Sequence, residues 1–144
     1  MDMHRLSDSS LAALAASCDV LLVDDNEVNL QLAVRRIAQF GYTVTTAMSG
    51  REAIERVALQ SFRIILMDYQ MPDIDGLEAT RRIRASESAT DYRVPIIGLS
   101  ANVENSVRHA CLAAGMDEFL ELPIASAALQ ITLSRWLGEP RIGG

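Results

Sequence analysis

Ile64-Ile65-Leu66-Met67-Asp68 is the stretch of this chain that says most about its fold. An unbroken apolar run that begins with β-branched residues is typical of a strand buried on both faces of a sheet. Strands of this kind occur mainly in parallel sheets, because helices cover both faces. The acidic residue then lies where the strand ends. We therefore predict a buried parallel strand with Asp68 at its carboxyl end.

Short apolar runs alternate with helix-period segments on both sides of this stretch. Strands are predicted at 20–23, 42–47, 64–67, 96–99 and 118–120, and helices at 27–40, 51–60, 77–85, 105–114 and 126–137. Consecutive strand–helix units imply an α/β fold in which a five-stranded parallel sheet is wrapped by helices on both faces, the doubly wound arrangement. The last strand is expected at the edge of the sheet.

The polarity of the helices predicts where some of their side chains lie. Ser49 and Glu52 have the spacing of a capping box at the start of the second helix. Near the end of the third helix, Arg81, Arg82 and Arg84 are expected on a solvated face. The last helix is amphipathic and is expected to place three side chains in the core: Leu129, Leu133 and Trp136.

The composition predicts a single domain with short extensions. Of the 144 residues, 19–138 carry the strand–helix alternation, 139–144 are expected to form a frayed tail, and 1–18 to form an N-terminal extension or linker, with a short docked helix as the alternative. A net charge of −6 argues against nucleic-acid binding. Because no apolar run has the length of a membrane span, we expect no membrane contact by this domain and a cytoplasmic location, although the parent protein could be membrane-anchored.

Polar side chains follow three of the predicted strands. Asp24 and Asp25 follow the first strand, Asp68 the third and Ser100 the fourth. Ligands of doubly wound folds bind at the carboxyl ends of the strands, so these side chains are expected in one pocket. Carboxylates 4 Å apart repel each other by roughly 4 kcal/mol per pair at an effective dielectric constant near 20. Such a cluster persists if it binds a metal ion or retains a proton.

Oxygen ligands of this kind favour Mg²⁺. Asp25 and Asp68 are expected to bind it directly, the backbone carbonyl of Gln70 to be a third ligand, and Asp24 to act through water. Asp68 would then be a good nucleophile towards phosphorus. The Ser100 hydroxyl and the Ala101 backbone N–H are suited to hold the oxygens of a transferred phosphoryl group.

The chain contains no lysine, since all 13 basic residues are arginine. No lysine of this chain can therefore neutralise the carboxylates. We expect a strong dependence on Mg²⁺ and a raised pKa for at least one of these acids.

Three motifs resemble those of response-regulator receiver domains, most of all the receivers of hybrid sensor histidine kinases. The resemblance covers about residues 20–137 and implies the flavodoxin-like form of the doubly wound fold. It also implies that Asp68 accepts a phosphoryl group from phosphohistidine with bound Mg²⁺, and that Ser100 and Phe119 act as a switch. The motifs are Val23-Asp24-Asp25-Asn26-Glu27-Val28-Asn29, Met67-Asp68-Tyr69-Gln70-Met71-Pro72-Asp73-Ile74-Asp75-Gly76 and Leu99-Ser100-Ala101-Asn102.

The chain departs from the family at Leu122. Receivers usually have a lysine immediately before the proline that corresponds to Pro123, and that lysine contacts the phosphoryl group and the acceptor aspartate. Leu122 can do neither, and the adjacent Glu121 has the opposite charge. Loss of one such electrostatic contact costs about 10²–10³ in rate in other enzymes. Slower phosphorylation, or a weaker link between phosphorylation and the switch, is expected.

The leading hypothesis is therefore a two-component receiver domain. Its partners would be a histidine kinase or a histidine phosphotransfer protein, and its output a protein contact or onward phosphotransfer. A homodimer through the last strand and the last two helices is a further expectation. The domain itself is not expected to be an enzyme, whether it stands alone or belongs to a hybrid kinase. Two alternatives stay open: a degenerate receiver that binds partners without phosphorylation, and a metal-dependent phosphohydrolase, which usually has a second acid at the position of Gln70.

Overall fold

The computed structural model describes residues 17–138. All but the last two residues of the predicted extension, and the whole predicted tail, lie outside the described residues. The strands are β1 (Cys18–Val23), β2 (Val44–Ala47), β3 (Phe62–Asp68), β4 (Ile96–Ser100) and β5 (Glu118–Glu121). The helices are α1 (Glu27–Gln39), α2 (Gly50–Leu59), α3 (Gly76–Glu87), α4 (Asn105–Ala114) and α5 (Ser126–Leu137).

The strands form one parallel sheet in the order β2-β1-β3-β4-β5. This order confirms the predicted doubly wound fold and places β5 at an edge. β3 is central, and from Ile64 to Asp68 it is buried throughout. The strand order reverses next to β1, so the carboxyl ends of β1 and β3 meet where doubly wound proteins bind their ligands.

Two apolar clusters cover the two faces of the sheet. The first cluster contains residues of α2, α3 and α4, among them Ala53, Ile83 and Cys111. The second contains residues of α1 and α5, among them Leu30 and Leu133. Alternate residues of each strand enter opposite clusters, as the pleat requires. The two faces of the carboxyl edge are therefore held in place by separate sets of helices.

Strand β2 is shorter than predicted. It begins at Val44 rather than residue 42, because Tyr42 and Thr43 make other bonds. The Tyr42 N–H donates to the carbonyl of Ile37 in α1, at 3.3 Å. The Thr43 N–H donates to Asp19 Oδ2 and its hydroxyl accepts from the Asp19 N–H, both at 2.9 Å.

The predicted capping box is only partly formed. Ser49 caps α2 by accepting a hydrogen bond from the Glu52 N–H, at 3.0 Å. The Glu52 carboxylate accepts from the N–H of Met48, one residue before the cap.

The prediction for α5 was also partly wrong. Leu129 and Leu133 are fully buried, but Trp136 is 38% exposed, and its indole N–H donates to Glu118.

Arg84 contradicts the prediction of a solvated arginine cluster on α3. Arg81 and Arg82 are exposed and pair with Glu78, whereas the Arg84 side chain is only 15% exposed. The Arg84 guanidinium donates to Glu87, Asp117 and the carbonyls of Val94 and Gly115 at 2.7–2.9 Å. The Glu87 carboxylate also accepts the N–H of Val94. These bonds extend α3 two residues beyond its predicted end and join it to the segments before β4 and β5.

We predict that Arg84→Met destabilises the domain by about 3 kcal/mol, because the largely buried Glu87 loses its arginine partner and Asp117 keeps only its ion pair with the exposed Arg93. Arg82→Met on the same helix is the matched control, and it should cost less than about 0.5 kcal/mol because that pair is exposed. Urea unfolding of both variants measures the difference. Equal costs would show that the Arg84 network has no special role in stability.

Candidate functional site

The pairing of the strands brings the predicted site residues to one edge of the sheet. Val23 is level with Met67, and Asp68 is level with Leu99. Asp24 and Asp25 follow β1, while Asp68 and Ser100 are the last residues of β3 and β4. The four side chains therefore start from adjacent strand ends, as the apolar runs predicted.

The three acids form a compact cluster. One carboxylate oxygen from each of Asp24, Asp25 and Asp68 lies within 4.8 Å of the other two. Asp24 is 5% exposed and Asp68 is 9% exposed, whereas Asp25 is exposed. The cluster thus has two acids at its base and opens to solvent beside the third.

The turns after β1 and β3 each donate a backbone N–H to one of the two buried carboxylates. The Asn26 N–H donates to Asp24 Oδ1 at 2.9 Å, and the Gln70 N–H donates to Asp68 Oδ1 at 3.3 Å. Helix α3 begins against the backbone of Asp68, because a Cβ on Gly76 would lie 2.2 Å from the Asp68 carbonyl oxygen. A side chain at position 76 would push the helix away from the end of β3.

Burial and mutual repulsion raise the pKa of two of these acids. The pKa of Asp68 is raised to about 6, first by burial and then by the negative charges of Asp24 and Asp25, against the opposing effect of N–H groups from Gln70 and Tyr69. The pKa of Asp24 is also raised, mainly by burial. The expectation of a raised carboxyl pKa is confirmed. Among residues 17–138, the ion pairs with arginine lie elsewhere and none includes an acid of the cluster.

The donor set suits a small divalent cation. Oxygens next to each other in an octahedron with 2.0–2.1 Å bonds are about 3 Å apart. Three carboxylate oxygens within 4.8 Å of one another therefore need little movement to bind such an ion, with one of them acting through water. Carboxylates are the ligands that Mg²⁺ prefers. The residues present fit the predicted ion.

The end of β4 contributes a hydroxyl beside this cluster. Ser100 is 5% exposed, and its Oγ accepts a hydrogen bond from the Asn102 N–H at 3.0 Å. Ala101 and Gln70 are exposed at the turns that follow β4 and β3. Phe119 lies on β5 and is paired with Gly98 of β4. Gly98 is two residues before Ser100 on that strand.

Leu122 is turned into the apolar core. It is partly buried against the second cluster with Leu120 and Ile124, and its N–H donates to the Ser100 carbonyl at 2.9 Å. Leu122 and Asp24 line the same groove of about 400 Å³. The position that usually supplies a cation in receivers thus supplies an apolar wall.

Two residues of α1 that the sequence analysis did not assign also line this groove. Asn29 forms a side-chain hydrogen bond that opposes the rise in the pKa of Asp24, and Arg36 donates to the carbonyl of Ile124 at 2.9 Å. Both line the groove with Leu122. Their spacing of seven residues on one helix was the available signal, because residues at that interval share a face.

Comparison with known proteins agrees with this geometry. The response regulator receiver domain family matches residues 20–134. The hybrid signal transduction protein dokA of Dictyostelium discoideum is 35% identical over 118 residues, which are 82% of this chain and 7% of dokA. The chain spans between 6% and 17% of seven other relatives that it matches, six named as histidine kinases and one as a sensor protein.

Two solved structures are similar over most of the chain. The receiver domain of sensor histidine kinase PA1611 from Pseudomonas aeruginosa PAO1 is 42% identical with a TM-score of 0.76, covering 86% of this chain and all of that one, and it has a magnesium ion coordinated in its active site cleft. The receiver domain of Ssk1 from Saccharomyces cerevisiae, solved in complex with the histidine phosphotransfer protein Ypd1, is 26% identical with a TM-score of 0.77 and covers 84% of this chain and 89% of that one.

No helix in the described part of the chain is both long and apolar enough to cross a membrane. The family match covers most of the chain, and the sheet order and acid cluster agree with it. This chain belongs to the response regulator receiver domain family and is a receiver domain of two-component signalling.

Proposed function

We propose that this domain accepts a phosphoryl group from phosphohistidine on Asp68. One observation carries the proposal: Asp68 ends the central strand within a cluster of three acids, is 9% exposed, and has Ser100 at the end of the neighbouring strand. A structural acid at a strand end would need neither the other two carboxylates nor the hydroxyl. The cluster is costly in free energy unless a cation binds it, and this requirement links Asp68 to phosphate chemistry.

The transfer breaks the N–P bond of the donor and forms an O–P bond to Asp68. The imidazole leaves with the electron pair of the broken bond, and the Asp68 carboxylate supplies the pair for the new bond. Asp68 must therefore be ionised when it attacks. The Ser100 hydroxyl and the Ala101 N–H would donate hydrogen bonds to the phosphoryl oxygens, which are the groups on which negative charge resides.

Mg²⁺ would be held by Asp25, Asp68 and the backbone carbonyl of Gln70, with Asp24 acting through water. When bound, it supplies the positive charge that the carboxylates and the phosphoryl oxygens require. The support is the all-oxygen donor set within 4.8 Å and the magnesium ion in the PA1611 receiver. The raised pKa of Asp68 indicates how strongly the site favours any neutralising charge, a proton included.

A histidine kinase or a histidine phosphotransfer protein would be the partner. The support is the complex of the Ssk1 receiver with Ypd1 and the histidine-kinase relatives. We infer that residues 19–138 are the functional unit, that it is not an enzyme by itself, and that its parent is a cytoplasmic or membrane-anchored hybrid kinase or a stand-alone regulator. Its output would be a protein contact or onward phosphotransfer, with Ser100 and Phe119 as the switch.

The proposed homodimer would use β5, α4 and α5. Three large apolar side chains on these helices remain accessible, with Leu112 46%, Ile131 61% and Trp136 38% exposed. Their burial in a second copy would remove apolar surface from water.

One observation favours a second candidate, a receiver that binds partners without phosphorylation. Leu122 packs against the second cluster, and no arginine of the described residues pairs with the acid cluster. A phosphoryl group would then rely on Mg²⁺ and on neutral donors. The intact Asp25, Asp68 and Ser100 support the phosphorylated receiver as the leading proposal.

Incubation with acetyl phosphate and Mg²⁺ should add one phosphoryl group to the protein, because the small donor can react with Asp68 directly. Intact-mass analysis measures the adduct. Asp68→Asn should abolish it. Asp75→Asn is the matched control, since Asp75 caps α3 through its side chain and Asn caps equally well. No adduct with acetyl phosphate or with a phosphorylated histidine phosphotransfer protein would favour the second candidate.

Leu122→Lys should raise the phosphorylation rate at equal Mg²⁺, by up to about 10²–10³, because one electrostatic contact to the phosphoryl group is restored. Leu122→Met keeps the volume and the apolar character and should leave the rate nearly unchanged. The rate of adduct formation compares the three proteins. A Lys variant no faster than wild type would show that Leu122 is not the cause of slow phosphorylation.

Metal-free wild type should lose stability relative to Asp68→Asn as the pH rises. The pKa of Asp68 is about 6 in the folded protein, against 3.8 ordinarily. The proton on Asp68 thus stabilises the folded protein fully below pH 3.8, and this stabilisation is lost as the pH rises through about 6. The difference in unfolding free energy should change by about 2 kcal/mol between pH 4 and pH 7. Urea unfolding in EDTA measures it, and a pH-independent difference would contradict the raised pKa.

A further inference from the structure

Phe119 lies on the edge strand β5, next to the strand β4 that ends at Ser100. It pairs with Gly98 on β4, and alternate residues of a strand share a face, so Gly98 and Ser100 face the same side. A Cβ built on Gly98 would lie 3.7 Å from Cδ2 of Phe119 and 2.5 Å from Sδ of Met116. Because Gly98 has no side chain, the ring and the methionine are next to the strand that ends at Ser100.

Arg108 covers the same ring from helix α4. Its guanidinium carbon lies 5.6 Å from the centre of the Phe119 ring, within the range of a cation–π contact. Arg108 is exposed, while Phe119 is partly buried against the first cluster. No carboxylate among the described residues pairs with Arg108, so the ring is the contact that positions its charge.

We propose that Arg108 is a positioning residue that holds Phe119 in its present place and so sets how readily the switch responds. The inference rests on the proposed function, in which Ser100 and Phe119 are the switch; the resemblance to receivers implies that Ser100 moves towards the phosphoryl group and that Phe119 swings inward behind it. A ring that moves towards Ser100 leaves the guanidinium, and the cation–π contact is lost. Arg108 therefore favours the unphosphorylated arrangement.

Arg108 lies at the less constrained end of α4, so its effect on Phe119 can be altered without displacing the rest of the helix. It is on the first turn and a half of α4, whose N-cap residue, Glu104, makes no side-chain capping bond. The carboxyl end of the helix is held instead, because Arg84 and Arg93 both donate to the carbonyl of Gly115. The end of α4 that carries Arg108 is thus the less constrained one, and a partner that binds there would alter the hold on Phe119.

The effect should be modest and measurable. A cation–π contact at an exposed site corresponds to about a two- to fivefold change in an equilibrium. Arg108→Met should raise the share of inward ring in the metal-free protein by about that factor. It should also lower by the same factor the beryllofluoride concentration that half-converts the protein in the presence of Mg²⁺. Arg108→Lys keeps the cation and should behave like wild type.

Fluorine NMR of protein labelled with 4-fluorophenylalanine provides the measurement. The resonance of Phe119 is assigned by its loss in Phe119→Leu. Arg135→Met is the matched control, because Arg135 is an exposed arginine that pairs with Glu118, the neighbour of Phe119 on β5. It should leave both the ring populations and the beryllofluoride response unchanged.

Three outcomes would overturn the proposal. Equal ring populations in wild type and Arg108→Met would exclude a role for Arg108, and a Lys variant that resembles the Met variant would exclude a role for its charge. A wild-type ring that stays in place with beryllofluoride and Mg²⁺ would overturn the switch role of Phe119 together with that of Arg108. The intact-mass experiment then tells whether Asp68 is phosphorylated. Failure of the proposed role of Arg108 and failure of the proposed phosphoacceptor are therefore distinguishable.

Discussion

The repulsion among three carboxylates is the constraint on which the site depends. The parallel topology puts Asp24 and Asp68 at neighbouring strand ends, and the turn after each strand directs an N–H to one of their oxygens. The two apolar clusters hold the strands and so keep the acids together. Folding therefore assembles a site that is unfavourable when empty. Its raised pKa values are the measurable sign of that cost, and cation binding recovers part of it.

Leu122 changes how this charge is balanced. In a receiver with the usual lysine, the protein itself supplies a cation at the end of the last strand. Here the same position joins the second cluster, which strengthens the packing between β5 and the helices α1 and α5. The groove next to it is lined by Asp24 and, from α1, by Asn29 and Arg36. The site gains apolar packing at the expense of an internal positive charge, and a bound metal ion has more negative charge left to neutralise.

Much of the fold and of the site could be predicted because their signals are local. Runs of four residues without a polar side chain located the three inner strands, and the residues at their ends located the acids. Arg84 could not be placed in this way, since its partners Asp117 and Gly115 are more than thirty residues away. Trp136 was assigned to the core from its helical spacing, but spacing does not show that Glu118 offers its indole a hydrogen bond at the surface. The contact of Arg108 with Phe119 likewise depends on how α4 packs on β5, which no local pattern specifies.

The edge strand β5 is the strand next to Ser100 that can be displaced most easily. β1, β3 and β4 each have two neighbours, and their apolar residues are buried, whereas β5 pairs only with β4 and is partly exposed along its length. Displacement of β5 breaks fewer contacts than displacement of any inner strand. Ser100 belongs to β4 and contacts the chain just beyond β5 through the Leu122 N–H. Under the proposed function, a shift of Ser100 would therefore be transmitted first to β5, and from β5 to the side chains that contact it from α4 and α5. Arg108 and Trp136 are two of these, so a change that begins at Ser100 would reach both helices.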